Sequence, residues 1–148
     1  SDEPFYCSEH RRSFKLDYEM PDIIHSHPDI TLLPISAARL ETLEAVKQLE
    51  KEGIACSVSH LTWLKPFKGL EKSLESVERS VFGGIVIDTD YENGVSKCIA
   101  HDLMLASGNP VRALGLEERT AGFAPHLDNL PPSPEKICGY VRKIVNNA

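Results

Sequence analysis

The chain has little of what most directly announces a chemistry. Its four cysteines, Cys7, Cys56, Cys98 and Cys138, lie at least 40 residues apart, so no CxxC metal or redox pair exists. Isolated cysteine is usually a small core hydrophobe, which predicts reduced, mostly buried thiols and a cytoplasmic location. No apolar run approaches the roughly 18 residues of a membrane span, and Ser1-Asp2-Glu3-Pro4 lacks the basic and apolar regions of a signal peptide, so no membrane partner is expected. Basic residues are also in deficit. The net charge is −6, whereas binders of a phosphate backbone concentrate Lys and Arg into a stripe, so nucleic acid is not an expected partner. There is no GxxxxGK[ST] and no Gly-Asp-Gly.

What is present is an ordinary folding composition, 41% hydrophobic and 26% charged over 148 residues, enough to bury roughly two thirds of the unfolded surface in one domain. Pro4 to Ser8 reads as a short strand, followed by a polar linker containing Pro21 and Pro28. The apolar run Ile30 to Ile35 suits a strand buried on both faces, and Ser36 is placed to cap a helix. Leu40, Leu43, Val46 and Leu49 form the stripe of that helix, with Gly53 at its end. Ile54 to Leu61 is a second strand. Leu70, Leu74, Val77 and Val81 predict a second helix ended by Gly83-Gly84, and Ile85 to Ile87 a third strand. Val95, Ile99, Leu103 and Ala106 mark a third helix, Val111 to Leu116 a fourth strand, and Ser133-Pro134-Glu135 opens a last helix with Ile137, Val141 and Ile144 on its apolar face. This alternation predicts an α/β fold of three layers, a mostly parallel sheet with helices on both faces.

Several runs in this order resemble the beta subunit of pyruvate and branched-chain 2-oxoacid dehydrogenases, and more distantly the carboxy-terminal domain of transketolase. They are Pro4 to Arg12, Asp29 to Ser36, Leu49 to Ile54, Leu61-Thr62-Trp63-Leu64-Lys65-Pro66, Ile85 to Thr89, Asn109-Pro110-Val111-Arg112 and Leu130 to Ile137. The family's Leu-Arg-Thr-Leu is here Leu61-Thr62-Trp63-Leu64, and its glycine pair before the third helix is reduced to Asn93-Gly94. The resemblance implies a transketolase C-terminal-like domain over residues 30–148, with residues 1–29 as the end of a pyrimidine-binding domain plus linker. It implies a parent enzyme that is an acyl-transferring oxidoreductase using thiamine diphosphate and Mg. The partners it implies are a second copy of the subunit, an alpha subunit and an acyltransferase core.

The cofactor clamp of such enzymes lies in other domains, so no catalytic, cofactor-binding or metal-binding residue is expected here, and the chain alone is expected to be inactive. His25 and His27 flank no ligand set and read as linker. Cys98 and His101, three apart on one helix, could pair as thiol and base, but Cys98 falls on the apolar stripe and is expected in the core. Asn93 and Gly94, opening a helix after a buried strand, are a candidate anion site, though a plain turn and cap is the simpler reading. Tyr91 and, in the proline-rich segment from Glu117 to Pro132, Phe123, Pro125, His126 and Leu127 are candidates for a partner interface. Two further readings stay open: a transketolase-type enzyme's C-terminal domain, and a free-standing flavodoxin-like module binding a small ligand near Asp88 to Asn93.

Overall fold

The computed structural model describes residues 20–64, 70–118 and 132–147. The Pro4–Ser8 strand and most of the Glu117–Pro132 segment, including Phe123, Pro125, His126 and Leu127, lie outside the described residues. The element order is β1 (Ile30–Pro34), α1 (Ala38–Lys51), β2 (Cys56–Val58), α2 (Leu70–Arg79), β3 (Gly84–Tyr91), α3 (Val95–Ser107), β4 (Val111–Leu116) and α4 (Pro134–Asn146). The four strands form one parallel sheet in the order β2-β1-β3-β4, so the chain steps outward from β1 to β2, then crosses to the other side for β3.

Side chains that alternate along the strands feed two separate cores. On one face Ile30, Leu32, Val58, Ile85, Ile87 and Leu114 meet Val46 and Leu49 of α1 and Ile137 and Val141 of α4. On the other, Leu33, Ile35, Val86 and Val111 meet Val77 of α2 and Ile99 and Leu103 of α3. The three-layer arrangement predicted from alternation is therefore the one observed. The second face is also polar. Thr31 Oγ1 lies 2.8 Å from Ser76 Oγ and 2.7 Å from Ser80 Oγ and donates to the Ser76 carbonyl, while Ser59 and Ser73 hydroxyls sit 2.9 Å apart. These buried hydroxyls satisfy one another, which removes the desolvation penalty each would carry alone.

Several local details follow the sequence and several do not. Gly53 adopts φ +83, and the pair of bonds from Ile54 N–H to the Leu49 carbonyl and from Gly53 N–H to the Glu50 carbonyl closes α1 in a Schellman arrangement. Ser133 accepts from the Lys136 N–H at 3.2 Å, with Pro134 in the first turn, as its sequence position requires. Ser36, by contrast, does not cap α1: it is exposed with φ +51, and the N-cap position falls on Ala37. Helix α2 stops at Arg79, and Val81 is 68% exposed because its backbone turns to donate to the Pro28 carbonyl.

The stripe on α3 is rotated from the expected one. Ser96, Ile99, Ala100 and Leu103 face the sheet, while Val95, Ala106 and Cys98 point to solvent. Cys98 is thus not core, because two small residues, Ser96 and Ala100, are what permit close approach to the strands. Strand β3 runs past Ile87 to Tyr91 through a register shift against β4. A Cβ at Gly115 would stand 2.5 Å from the Asp90 carbonyl oxygen, so only glycine admits that irregular stretch beside β4.

Candidate functional site

In a parallel sheet the ligand-competent region is the carboxyl end of the strands where the strand order reverses, here between β1 and β3. Ser36, in the left-handed region, leaves β1 there, and Asp88 stands beside it on β3, one residue beyond Ile87, whose carbonyl accepts from Ile35 N–H. Asp88 is only 7% exposed, and burial pushes its carboxyl above the ordinary range although the Thr89 and Asp90 N–H groups donate to Oδ1. Those two bonds close a turn on the side chain's own backbone, so the carboxylate serves the β3 bend.

Farther along, the predicted anion site is committed to its own neighbours. Asn93 donates to Glu118 Oε2 at 2.7 Å and accepts from Lys97 Nζ at 2.8 Å. Gly94, the N-cap position of α3, donates to the Tyr91 carbonyl. An incoming anion would meet the Glu118 carboxylate, so this corner behaves as a cap and turn. Tyr91 is half-buried at the end of β3. Cys98 and His101 are both exposed on α3, and His27 is exposed while His25 lies half-buried 3.8 Å from Glu50.

The two edges of the sheet differ. Along β4, whose only strand neighbour among the described residues is β3, run two adjoining hollows of ≈ 570 and ≈ 660 Å³ that share Arg112 and Tyr140. Met104 and His101 of α3 line the larger, Val81 and Ile144 the smaller. Val95, Met104 and Leu105 of α3 are exposed, at 50, 38 and 69%, and stand among the exposed Lys97, His101 and Asp102.

The β2 edge is covered instead by residues 20–29. Ile23 and Val58 exchange backbone bonds of 2.9 and 2.6 Å in an antiparallel bridge. Asp22 Oδ1 accepts from His60 N–H at 2.8 Å, Ser57 Oγ accepts from His25 N–H, and Asp29 Oδ2 accepts from Ala55 N–H. Arg39 donates to the Met20 carbonyl. This strap, and the meeting of its Asp22 with His60 and Arg39, had no sequence signal beyond the presence of those residue types.

The family model for the transketolase C-terminal domain matches residues 21–137, most of the chain. The chain belongs to that family. Its members are parts of thiamine-diphosphate-dependent enzymes. Among solved structures, it is similar to "Split gene transketolase, inactive beta4 tetramer" at 20% identity and TM-score 0.69, over 89% of this chain and 44% of that one. It is similar also to a 2-oxoglutarate:ferredoxin oxidoreductase from Magnetococcus marinus, solved with 2-oxoglutarate, coenzyme A and succinyl-CoA bound, at 15% identity and TM-score 0.61, over 90% of this chain and 21% of that one. At such identities the likeness establishes the shared fold, and the chain spans less than half the length of either structure. No curated protein matches the chain closely enough to count as a relative.

The described residues of the transketolase C-terminal domain do not fit the family's cofactor. Thiamine diphosphate needs a divalent metal held by oxygen ligands, and among the described residues no group of three or more His, Cys, Asp or Glu gathers to hold one. Arg112 and Lys136, which could face a diphosphate, are turned to the Phe82 and Gly115 carbonyls.

Proposed function

We propose that this chain is the carboxy-terminal assembly domain of a thiamine-diphosphate-dependent 2-oxoacid dehydrogenase beta subunit, contributing to subunit dimerisation and complex formation and not catalysing a reaction alone. The observation that carries the reading is the β4 edge, which no second strand pairs among the described residues, with Met104 and Leu105 exposed on the neighbouring α3. The partners proposed are a second copy of the subunit, then an alpha subunit and an acyltransferase core. Tyr91 and, outside the described residues, Phe123, Pro125, His126 and Leu127 are the residues proposed for a partner contact. The cytoplasm is the proposed compartment, in keeping with the free thiols Cys56, Cys98 and Cys138.

Sedimentation of the chain over a wide concentration range tests this. A dimer that grows with concentration, and that Leu105→Asp converts to monomer with an unchanged circular dichroism spectrum, supports it. A wild-type chain that stays monomeric throughout overturns the self-association. Titration with thiamine diphosphate and magnesium is expected to show no binding.

The likeness to a split-gene transketolase favours a second reading, the C-terminal domain of a transketolase-type enzyme. The two separate by the activity of the assembled parent enzyme: decarboxylation of a 2-oxoacid in the first, transfer of a ketol group between sugars in the second.

A further inference from the structure

His60 follows β2 and lies beneath the strap, next to the first turn of α1. Neither of its ring nitrogens makes a hydrogen bond, and both are shut off from solvent, as is Nε of Arg39. Three polar nitrogens without partners in one place are unusual, since buried polar groups are nearly always satisfied. The groups facing the ring are few. Arg39 approaches from α1, while Asp22 and the Pro21 carbonyl approach from the strap. Asp22 is already occupied by the His60 backbone N–H, and Arg39 reaches the Met20 carbonyl at 3.3 Å. The strap is therefore anchored mainly by contacts made on either side of the imidazole, whose own approach to it, toward the Pro21 carbonyl and Asp22, is outweighed by burial.

Such an arrangement holds only while the imidazole is neutral. Burial, and then the Arg39 charge, push its pKa below the ordinary histidine value, against the weaker opposite pull of Asp22 and the Pro21 carbonyl. Lifting residues 20–24 would open the ring to water, which outweighs the loss of Asp22 and the Pro21 carbonyl because burial is the largest influence on it.

We propose that His60 is a proton-operated latch for the strap of residues 20–29: neutral, it lies shut off from water under the strap, and as an imidazolium it needs the hydration that only a strap lifted from the β2 edge admits. The step is the uptake of one proton from solvent by the ring, which forms one N–H bond at the expense of an O–H bond of hydronium, and no bond between heavy atoms changes. The sign follows from the direction of the shift. With its pKa lower in the closed state than in the open one, the ring favours the closed strap fully above the ordinary histidine value, and that preference is lost as pH falls through it. Release frees the Val58 backbone groups that Ile23 now pairs and loosens the segment leading into the domain.

The test is amide hydrogen exchange on the whole chain, corrected for the intrinsic effect of pH. Between about pH 7.5 and about pH 5.5, protection of the Ile23 and Val58 amides is expected to fall by at least about threefold, while the Ile35 amide, bonded to Ile87 at the sheet centre, keeps its protection. In His60→Asn the fall at Ile23 and Val58 is expected to vanish. A fall that persists in His60→Asn, no fall in the wild type, or an equal fall at Ile35 overturns the latch. Should His60→Asn not fold, the ring is titrated by NMR in the wild type. A ring that titrates below the ordinary value in step with Val58 protection supports the proposal, and one that titrates at or above it with Val58 still protected overturns it.

Discussion

The two edges of this sheet solve the same problem in opposite ways. An edge strand exposes a row of unpaired backbone groups that invites another chain. At β2 the chain pairs its own edge, laying Ile23 against Val58 and tying the strap down through Asp22, Ser57 and Asp29. At β4 no described strand does so, and the hollows around Arg112 and Tyr140 are lined on the α3 side by a mixture that includes Lys97, His101, Asp102 and Met104. Among the described residues, then, one edge is covered by the chain's own polar linker and the other stands beside exposed Leu105. The covered edge is instead made sensitive to protons.

The largest effect expected is at the covered edge itself. Val58 is fully buried, and Val58→Asp should unfold the domain or lower its stability by upward of about 3 kcal/mol, measured by denaturant titration. Ala113→Asp on the half-buried β4 edge should cost about 1 kcal/mol or less. Equal losses at the two positions would erase the distinction between the edges. Next, Asp22→Ala removes the acceptor of the His60 N–H and should lower stability by about 1 kcal/mol, with faster exchange confined to Ile23 and Val58. Loss spread through β3 and β4 would mean that the strap is part of the global fold.

Asp88 gives a third test, of opposite pH sign to His60. Its carboxyl is raised by burial, so the folded state holds the proton more tightly, and stability rises as pH falls toward the carboxylate range. Asp88→Asn should therefore raise the thermal midpoint at neutral pH and abolish that rise, while leaving the His60-dependent change near the ordinary histidine value intact. The smallest effect is expected at Arg142, whose guanidinium grips Glu52 at 2.8 and 2.6 Å between α4 and α1. The pair is solvent-exposed, and Arg142→Ala should move the denaturant midpoint within the error of measurement.

Much of the architecture was legible because it is written in short periods. The run Val111 to Leu116 is a strand end to end, and Gly53 and Ser133 end and begin helices by local geometry that needs no distant partner. The errors have one physical origin. Val81 completes a helical stripe in sequence, yet the chain leaves the helix to bond Pro28, 53 residues earlier. An apolar spacing places Cys98 in the core, but the sheet accepts Ser96 and Ala100 because close packing rewards small size over hydrophobicity. The turn chemistry at Asn93-Gly94 was readable as a helix start, whereas its pairing with Glu118, 25 residues on, was not.

The sequence by itself determined the alternation of strands and helices, the α/β class and the family resemblance, since periodicity, caps and glycine turns are properties of neighbouring residues. Tertiary structure alone decided which helix face is buried, that Thr31 would join Ser76 and Ser80 across 45 residues or more, and that Asp22 of the strap would meet His60 and Arg39. Burial and unmet hydrogen bonds exist only once distant segments are brought together, and in this protein they are what turn an ordinary histidine into a candidate switch.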